Sequence, residues 1–257
     1  LFGFGAEWLF TATFTYFVVY VLSRPSTFVS EMNSLSSILQ LISTLIFVKI
    51  VAKKGFKKPF IWALSIVIAA ILGYIGVAVL NVPHMTVLII AIVIVFGLGT
   101  GVYYIPWTSY TFMADVDEVV TNRRREGIYA GAMTMAGKLI RASIVSILGF
   151  TLAAFGFKEG ASVQPESACN AIIGVMLFGC CGLALLGIIC SVKMKLTQET
   201  HKVVIAELDR IHNGGKMSDV DPEVKKTLEE LTGVPYEKCF GNNNIGYKDK
   251  HHKAVAE

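Results

Sequence analysis

Charge is scarce in this chain. Across 257 residues, 16% are Asp, Glu, Lys or Arg, 54% are hydrophobic and the mean hydropathy is +0.60; soluble domains carry about 25% charged residues. That scarcity excludes an ordinary water-soluble domain and makes a membrane protein the first reading. Catalytic signatures are missing as well. No GxSxG or HExxH pattern occurs, four of the five histidines lie in the polar end, and His84 sits in a loop between apolar runs. With no nucleophile and base placed in the membrane, an enzyme is not expected. The cysteines Cys169, Cys180, Cys181, Cys190 and Cys239 lack metal-ligand spacing and read as small apolar filler, Cys169 in an outside loop. No metal, resident cofactor or nucleic-acid partner is expected. The opening LFGFGAEWLF has no Met, no basic n-region and no cleavage site, so it is not a signal peptide. The chain is expected to start inside or just before a transmembrane helix, as the back part of something longer.

What the sequence does have is long apolar runs. Six are long enough to cross about 30 Å of hydrocarbon: roughly Phe4–Leu22, Phe28–Val51, Phe60–Leu80, Thr86–Met113, Gly127–Phe155 and Ala171–Val192. Residues 1–192 hold 12 Lys/Arg and 8 Asp/Glu, and the last 65 hold 11 of each. The expected organisation is therefore a six-helix transmembrane bundle over 1–192 and a soluble helical tail over 193–257. Lys53, Lys54, Lys57 and Lys58 share one loop and Arg123, Arg124 and Arg125 another, whereas the alternate loops hold only Arg24 and Lys158. The positive-inside rule puts the charged loops, and with six crossings both ends of the chain, in the cytoplasm.

Three runs carry polar faces. In the second, Ser30, Ser34, Ser37, Leu41 and Thr44 recur at steps of three and four, flanked by Asn33 and Gln40. Such a stripe either lines an aqueous cavity or satisfies its own backbone. The fourth has Gly97, Gly99 and Gly101, then Tyr103, Tyr104, Trp107, Thr108 and Tyr110 around Pro106. The glycines signal close packing, the proline a kink, and the aromatics either an interfacial belt or a stacking platform for a sugar ring. In the fifth, Gly127, Gly131, Thr134, Lys138 and Arg141 share one face. Lys138 lies about 18 Å beyond Glu126, close to the midplane. An unpaired charge there costs at least about 2.5–3.5 kcal/mol, so it must face water or a partner. Glu7, Glu31 and Asp115 each sit near a predicted helix end, so the counter-charges are expected from elsewhere, most simply from a missing first half.

The stretch MADVDEVVTNRRREG, Met113–Gly127, holds four acids and three arginines. Within PWTSYTFMADVDEVVTNRRREGIYAGAMTMAGK it carries a family likeness. The chain, over residues 1 to about 212, resembles the C-terminal half of a glycoside-pentoside-hexuronide:cation symporter, the melibiose-permease-like group of the major facilitator superfamily. Many members have DYGE after the AD; here Asp115, Asp117 and Glu118 stand without the Tyr-Gly. The resemblance implies an all-α membrane fold with three plus three helices in an inverted repeat, one half of a major-facilitator transporter. It implies cation-coupled (Na+ or H+) symport of a sugar or glycoside across the plasma membrane, the bacterial inner membrane, with the coupling-cation ligands in the N-terminal six-helix half. Lys138 would face those acids and an aromatic near Trp107 would approach the sugar. The expected substrate and coupling set is Lys138, Arg141, Trp107, Tyr103, Thr134, Gln40, Ser37 and Asn33. Alternating access needs an inner gate that opens at little energetic expense, which exposed ion pairs provide. Asp115, Asp117, Glu118, Arg123, Arg124, Arg125 and Glu126 are expected to form it. A lysolipid or other solute, or an uncoupled channel or facilitator, are the alternatives.

Beyond Val192 the chain turns polar. Val204, Leu208 and Ile211 mark an amphipathic helix expected to lie along the inner membrane face. Asp221, Pro222 and Gly233 are the cap, first turn and stop of a second. The end of the chain, with His251 and His252, reads as disordered.

Overall fold

In hydrocarbon a chain must satisfy its backbone within each segment, so apolar runs fold as helices. The computed structural model describes residues 1–80 and 84–243; His251, His252 and the expected disordered end lie outside the described residues. Its helices are α1 (Phe2–Tyr16), α2 (Ser26–Lys54), α3 (Lys57–Val79), α4 (Met85–Thr100), α5 (Ile105–Thr121), α6 (Glu126–Ala154), α7 (Glu166–Gly174), α8 (Cys181–Lys193), α9 (Gln198–His212) and α10 (Pro222–Thr232). Short π-helical segments prolong α1 over Phe17–Val21 and join α7 to α8 over Val175–Cys180. Six spans are long and apolar enough to cross a membrane, and no strand occurs among the described residues. The architecture is that of half a major-facilitator fold.

Several boundaries differ from the expected ones. The sixth span starts at Glu166, so Cys169 lies within α7 and not in a loop. The fourth span reaches Thr121, which places Asp115, Asp117 and Glu118 on helix α5; only residues 122–125 of the charged stretch are outside helices. That span is also broken, at Gly101–Tyr104. Pro106 has no N–H for the Val102 carbonyl, and this oxygen accepts instead from the Ile105 amide at 3.0 Å. Pro106 then falls in the first turn of α5, where its missing donor is harmless.

Two compact units divide the chain: Leu1–Ile105 with Met135–Lys193, and Pro106–Thr134 with the residues from Met194 onward. Residues 106–134 thus group with the tail, a division other than the one expected at 192/193.

In the first unit α4 lies between α2 and α3, and its glycines explain how closely. A Cβ at Gly97 would stand 2.7 Å from Cβ of Leu39 on α2, and one at Gly99 would stand 3.0 Å from Val67 on α3. Phe10, Phe14, Tyr74 and Phe96 fill the centre, with the rings of Phe10 and Phe96 4.2 Å apart. Helix α6 packs more loosely through Gly137, Ile144, Leu148 and Leu152. An apolar cleft of about 450 Å³, lined by Leu9, Ile147, Leu148, Phe155, Ala171 and Phe178 among others, lies beside it.

In the second unit the apolar face of α9 meets protein. Val204, Leu208 and Ile211 are buried with Val119, Leu228, Tyr236 and Phe240. The expected placement along a membrane surface is corrected: two short helices and the segment after them supply enough apolar area to cover the stripe. Thr197 and Thr200 form a capping box at the start of α9, Asp221 accepts from the Glu223 amide at 2.8 Å, and α10 ends at Gly233 with φ of 68°. The chain then returns to α5. The amides of Phe240 and Gly241 donate to the carbonyls of Val119 and Val120 at 2.6 and 3.2 Å, closing the otherwise open end of that helix.

Candidate functional site

Of the three spans with polar faces, two are the least covered by the rest of the chain. Only 11% of the most apolar stretch of α2 and 22% of that of α6 is buried, against 33–50% for the other four spans. They are the second members of the first and second sets of three. Asn33 and Ser37 are exposed on α2, and Thr134, Lys138 and Arg141 are exposed on α6. Lys138 and Arg141 form no ion pair among the described residues. Several hydroxyls turn inward to their own helix: Ser34 donates to the Ser30 carbonyl, Ser37 to Asn33, Thr44 to Gln40 and Thr134 to Ala130, all at 2.8–2.9 Å. This is the usual way for Ser and Thr to settle in an apolar helix. It leaves the amides and cations as the polar groups of these faces with most bonding capacity to spare.

Gln40 takes a different course. Its Nε2 donates to Oε1 of Glu7 at 3.5 Å and to the carbonyl of Thr100 at 3.4 Å. Gln40 is the middle residue of α2, so Glu7 reaches the depth of the span centre. This corrects the expectation that no acid lies at mid-membrane depth; Glu7 is early in the sequence without being at the membrane edge. Tyr103 is nearly enclosed, at 5% exposure, with its ring 6.4 Å from that of Phe4. It packs under this turn of α1 and does not face outward. Trp107 and Thr134 belong to the second unit, and Trp107 is 42% exposed in the first turn of α5.

The seven charged residues between Met113 and Gly127 all lie in the second unit. Arg125 grips Asp117 with two hydrogen bonds, Nε to Oδ2 at 2.8 Å and Nη2 to Oδ1 at 2.5 Å. Arg124 pairs with Glu126 and approaches Glu118 at 3.6 Å and Asp115 at 4.0 Å. Both guanidinium groups are held above their ordinary pKa, Arg124 chiefly by its bond to Glu126 and Arg125 chiefly by its bond to Asp117. Arg123 forms no ion pair among the described residues.

The tail adds partners that no sequence pattern marked. His201, on the first turn of α9, places Nε2 2.7 Å from Oδ2 of Asp115 and stacks on Phe112 with ring centroids 3.9 Å apart. His212 lies 3.8 Å from Glu118. Asp115 and Glu118 are 7% exposed, so the tail helps to enclose two acids that would otherwise meet water. Behind them, Glu207 receives two bonds from Arg210 at 2.7–2.8 Å and a third from the Tyr236 hydroxyl. Burial, then the hydrogen bond to Glu207, pushes the Tyr236 phenol up; the Glu207 bond does the same for Arg210.

An uncharacterized symporter of Synechocystis sp. is 35% identical over 96 residues, a match covering 35% of this chain and 18% of that relative. No solved structure matches. Residues 1–198 match the family described as MFS/sugar transport protein. Matched over most of its length and built from six apolar spans, the chain belongs to the MFS/sugar transport protein family, a family of transporters and not of enzymes.

Proposed function

We propose that this chain is the C-terminal half of a cation-coupled symporter that moves a sugar or glycoside by alternating access. The observation that carries the reading is the low coverage of α2 and α6. Two spans in equivalent places of a three-plus-three arrangement leave amides and cations exposed at membrane depth. Bare Lys and Arg at that depth are too costly in lipid. A second six-helix half set against α2 and α6 removes the cost: it encloses a wet cavity bordered by Asn33, Ser37, Lys138 and Arg141, with Gln40 behind them, and brings acids to meet the cations. Trp107 supplies the flat face for a sugar ring, and Tyr103 backs the α1 wall. The coupling ion is Na+ or H+, and further ligands for it come from the other half. The name of the Synechocystis relative, a symporter, supports the coupling.

Asp115, Asp117, Glu118, Arg123, Arg124, Arg125 and Glu126 form the inner gate. Arg124 is 64% exposed at its side chain, and pairs of that kind are worth about 0–1 kcal/mol, which suits a contact made and broken in each cycle. By the positive-inside rule this stretch, the Lys53–Lys58 loop and the tail face the cytoplasm of a plasma membrane.

Radiolabelled sugar uptake by the intact protein in vesicles, with and without sodium and proton gradients, tests the reading. Gradient-driven uptake that is lost in Lys138→Ala supports it. Uptake indifferent to both gradients points to a facilitator or channel, and uptake of lysolipid in place of sugar reassigns the solute.

A further inference from the structure

Glu7 stands apart from the other acids of the spans. Its carboxyl is set against the middle of α2 and receives a single long hydrogen bond, from Gln40 at 3.5 Å. Among the described residues no Lys, Arg or His forms an ion pair with it. The same Gln40 amide reaches the carbonyl of Thr100, the last residue of α4 before the helix breaks. Against the α1 turn that carries Glu7 lies Tyr103. Its hydroxyl is buried without a hydrogen-bond partner, and its ring lies 6.4 Å from that of Phe4, one turn before Glu7. Around this turn stand Cys180 and Cys181 at the α7–α8 junction, Tyr104, Tyr74 of α3 beyond Phe10, and the exposed Lys138 and Arg141 of α6, whose Gly137 faces Trp8; Glu31, Lys49, Lys53, Lys54, Lys57, Lys58, Cys190 and Lys193 sit towards the ends of α2, α3 and α8. From α2 comes the uncharged Gln40.

A carboxylate so placed, half-buried and with one long hydrogen bond, has lost part of its hydration and gained little in return. A metal cation or a proton can neutralise it. A hard cation needs oxygen ligands on several sides. Here the position between the Glu7 carboxyl and the Thr100 carbonyl is taken by an –NH2 group, because two acceptors flank the amide and fix its nitrogen towards both. A donor in that place repels sodium and leaves a proton acceptable. We propose that Glu7 is a proton-binding carboxyl of the transport cycle, taking up and releasing a proton at mid-membrane depth. The inference rests on the symporter reading and sharpens it: protons are the coupling ion, and one of their sites is in this half. Protonated, Glu7 is neutral and still accepts from Gln40 through its carbonyl oxygen. Deprotonated, it calls for another donor, and the spare Tyr103 hydroxyl is the one at hand.

Dicyclohexylcarbodiimide, which attacks protonated carboxyls in apolar surroundings, tests this on the intact protein in liposomes, read by mass spectrometry. Glu7 is expected to be modified near neutral pH, to lose reactivity as pH rises, and to be indifferent to sodium. Glu7→Gln removes the label, and Gln40→Leu, by taking away the donor to the charged form, extends labelling to higher pH. An unmodified Glu7, or one that sodium protects, overturns the proposal. In parallel, wild-type uptake driven by a pH gradient is expected to become uphill-incompetent in Glu7→Gln while substrate exchange persists. Equal accumulation by both proteins overturns the role of Glu7 and leaves the symporter standing. A wild type that ignores the pH gradient overturns proton symport itself, whatever the labelling shows.

Discussion

Asp117 and Arg125 meet in a two-pronged ion pair eight residues apart in sequence, whereas Lys138 and Arg141, further along the helix that begins at Glu126, stand exposed with no ion pair among the described residues. The second unit matches its acids with cations from its own loop and tail. The first unit buries apolar rings and leaves its two membrane-depth cations outward. Charge satisfied within the chain builds a structure; charge left over at membrane depth points to a surface meant for something else. The glycines show a difference of another kind: Gly97 is wedged against Leu39, while nothing stands within 4 Å of a Cβ placed on Gly131.

The largest effect is expected where the second unit's core is cut. Leu228 is fully buried, and Leu228→Ala should cost about 2–5 kcal/mol, read as lost hydrogen-exchange protection in α9, α10 and the end of α5 with the helices of the first unit unchanged. Next comes the uncompensated charge itself. Lys138→Leu should ease membrane insertion of α6 by about 2.5–3.5 kcal/mol, measured by glycosylation mapping, while gradient-driven uptake by the intact protein is lost. Unchanged insertion would mean that Lys138 already has its partner in this half and would dissolve the contrast. Gly97→Val should lower thermal stability by about 1–3 kcal/mol through overpacking against α2, with Gly131→Ala close to neutral as the control.

Smaller effects probe the paired side. Asp115→Asn keeps a hydrogen bond to His201 but removes its charge, and should cost about 1 kcal/mol, seen as faster exchange at the start of α9. Burial pushes the Cys239 thiol from its ordinary 9.0 up to about 11. The unfolded thiol then ionises first, so the second unit should weaken as pH rises through that window and be unaffected below it. Urea unfolding at rising pH checks the sign, and Cys239→Ala should flatten the dependence.

Much of this was legible from composition and period. Six runs of apolar residues admit few folds, and the glycines of the fourth already signalled close packing. The break at Gly101–Tyr104 was less so: Pro106 advertises a fault in the ladder, but the turn forms upstream, where Val102 finds another donor. Glu7 does lie near the start of α1, as expected, but nearness to a helix end does not fix depth in the bilayer. It took the bond to Gln40, central in α2, to locate it. The tail misled for a physical reason as well. An apolar stripe of Val204, Leu208 and Ile211 in a membrane protein fits a lipid surface and a protein core equally well, and only the return of Tyr236 and Phe240 decides between them. Nothing local singles out His201; its meaning comes from Phe112 and Asp115, far away in sequence.

The return of the tail also bears on the order of events at the ribosome. The carbonyls of Val119 and Val120, at the end of α5, are capped by amides of residues 240 and 241. While the nascent chain is being threaded into the bilayer those donors have yet to be synthesised, so the last turn of α5 has to wait. The six spans can be in place before that end is finished, and a stalled or shortened chain would display frayed, acid-rich helix to whatever surveys incomplete membrane proteins.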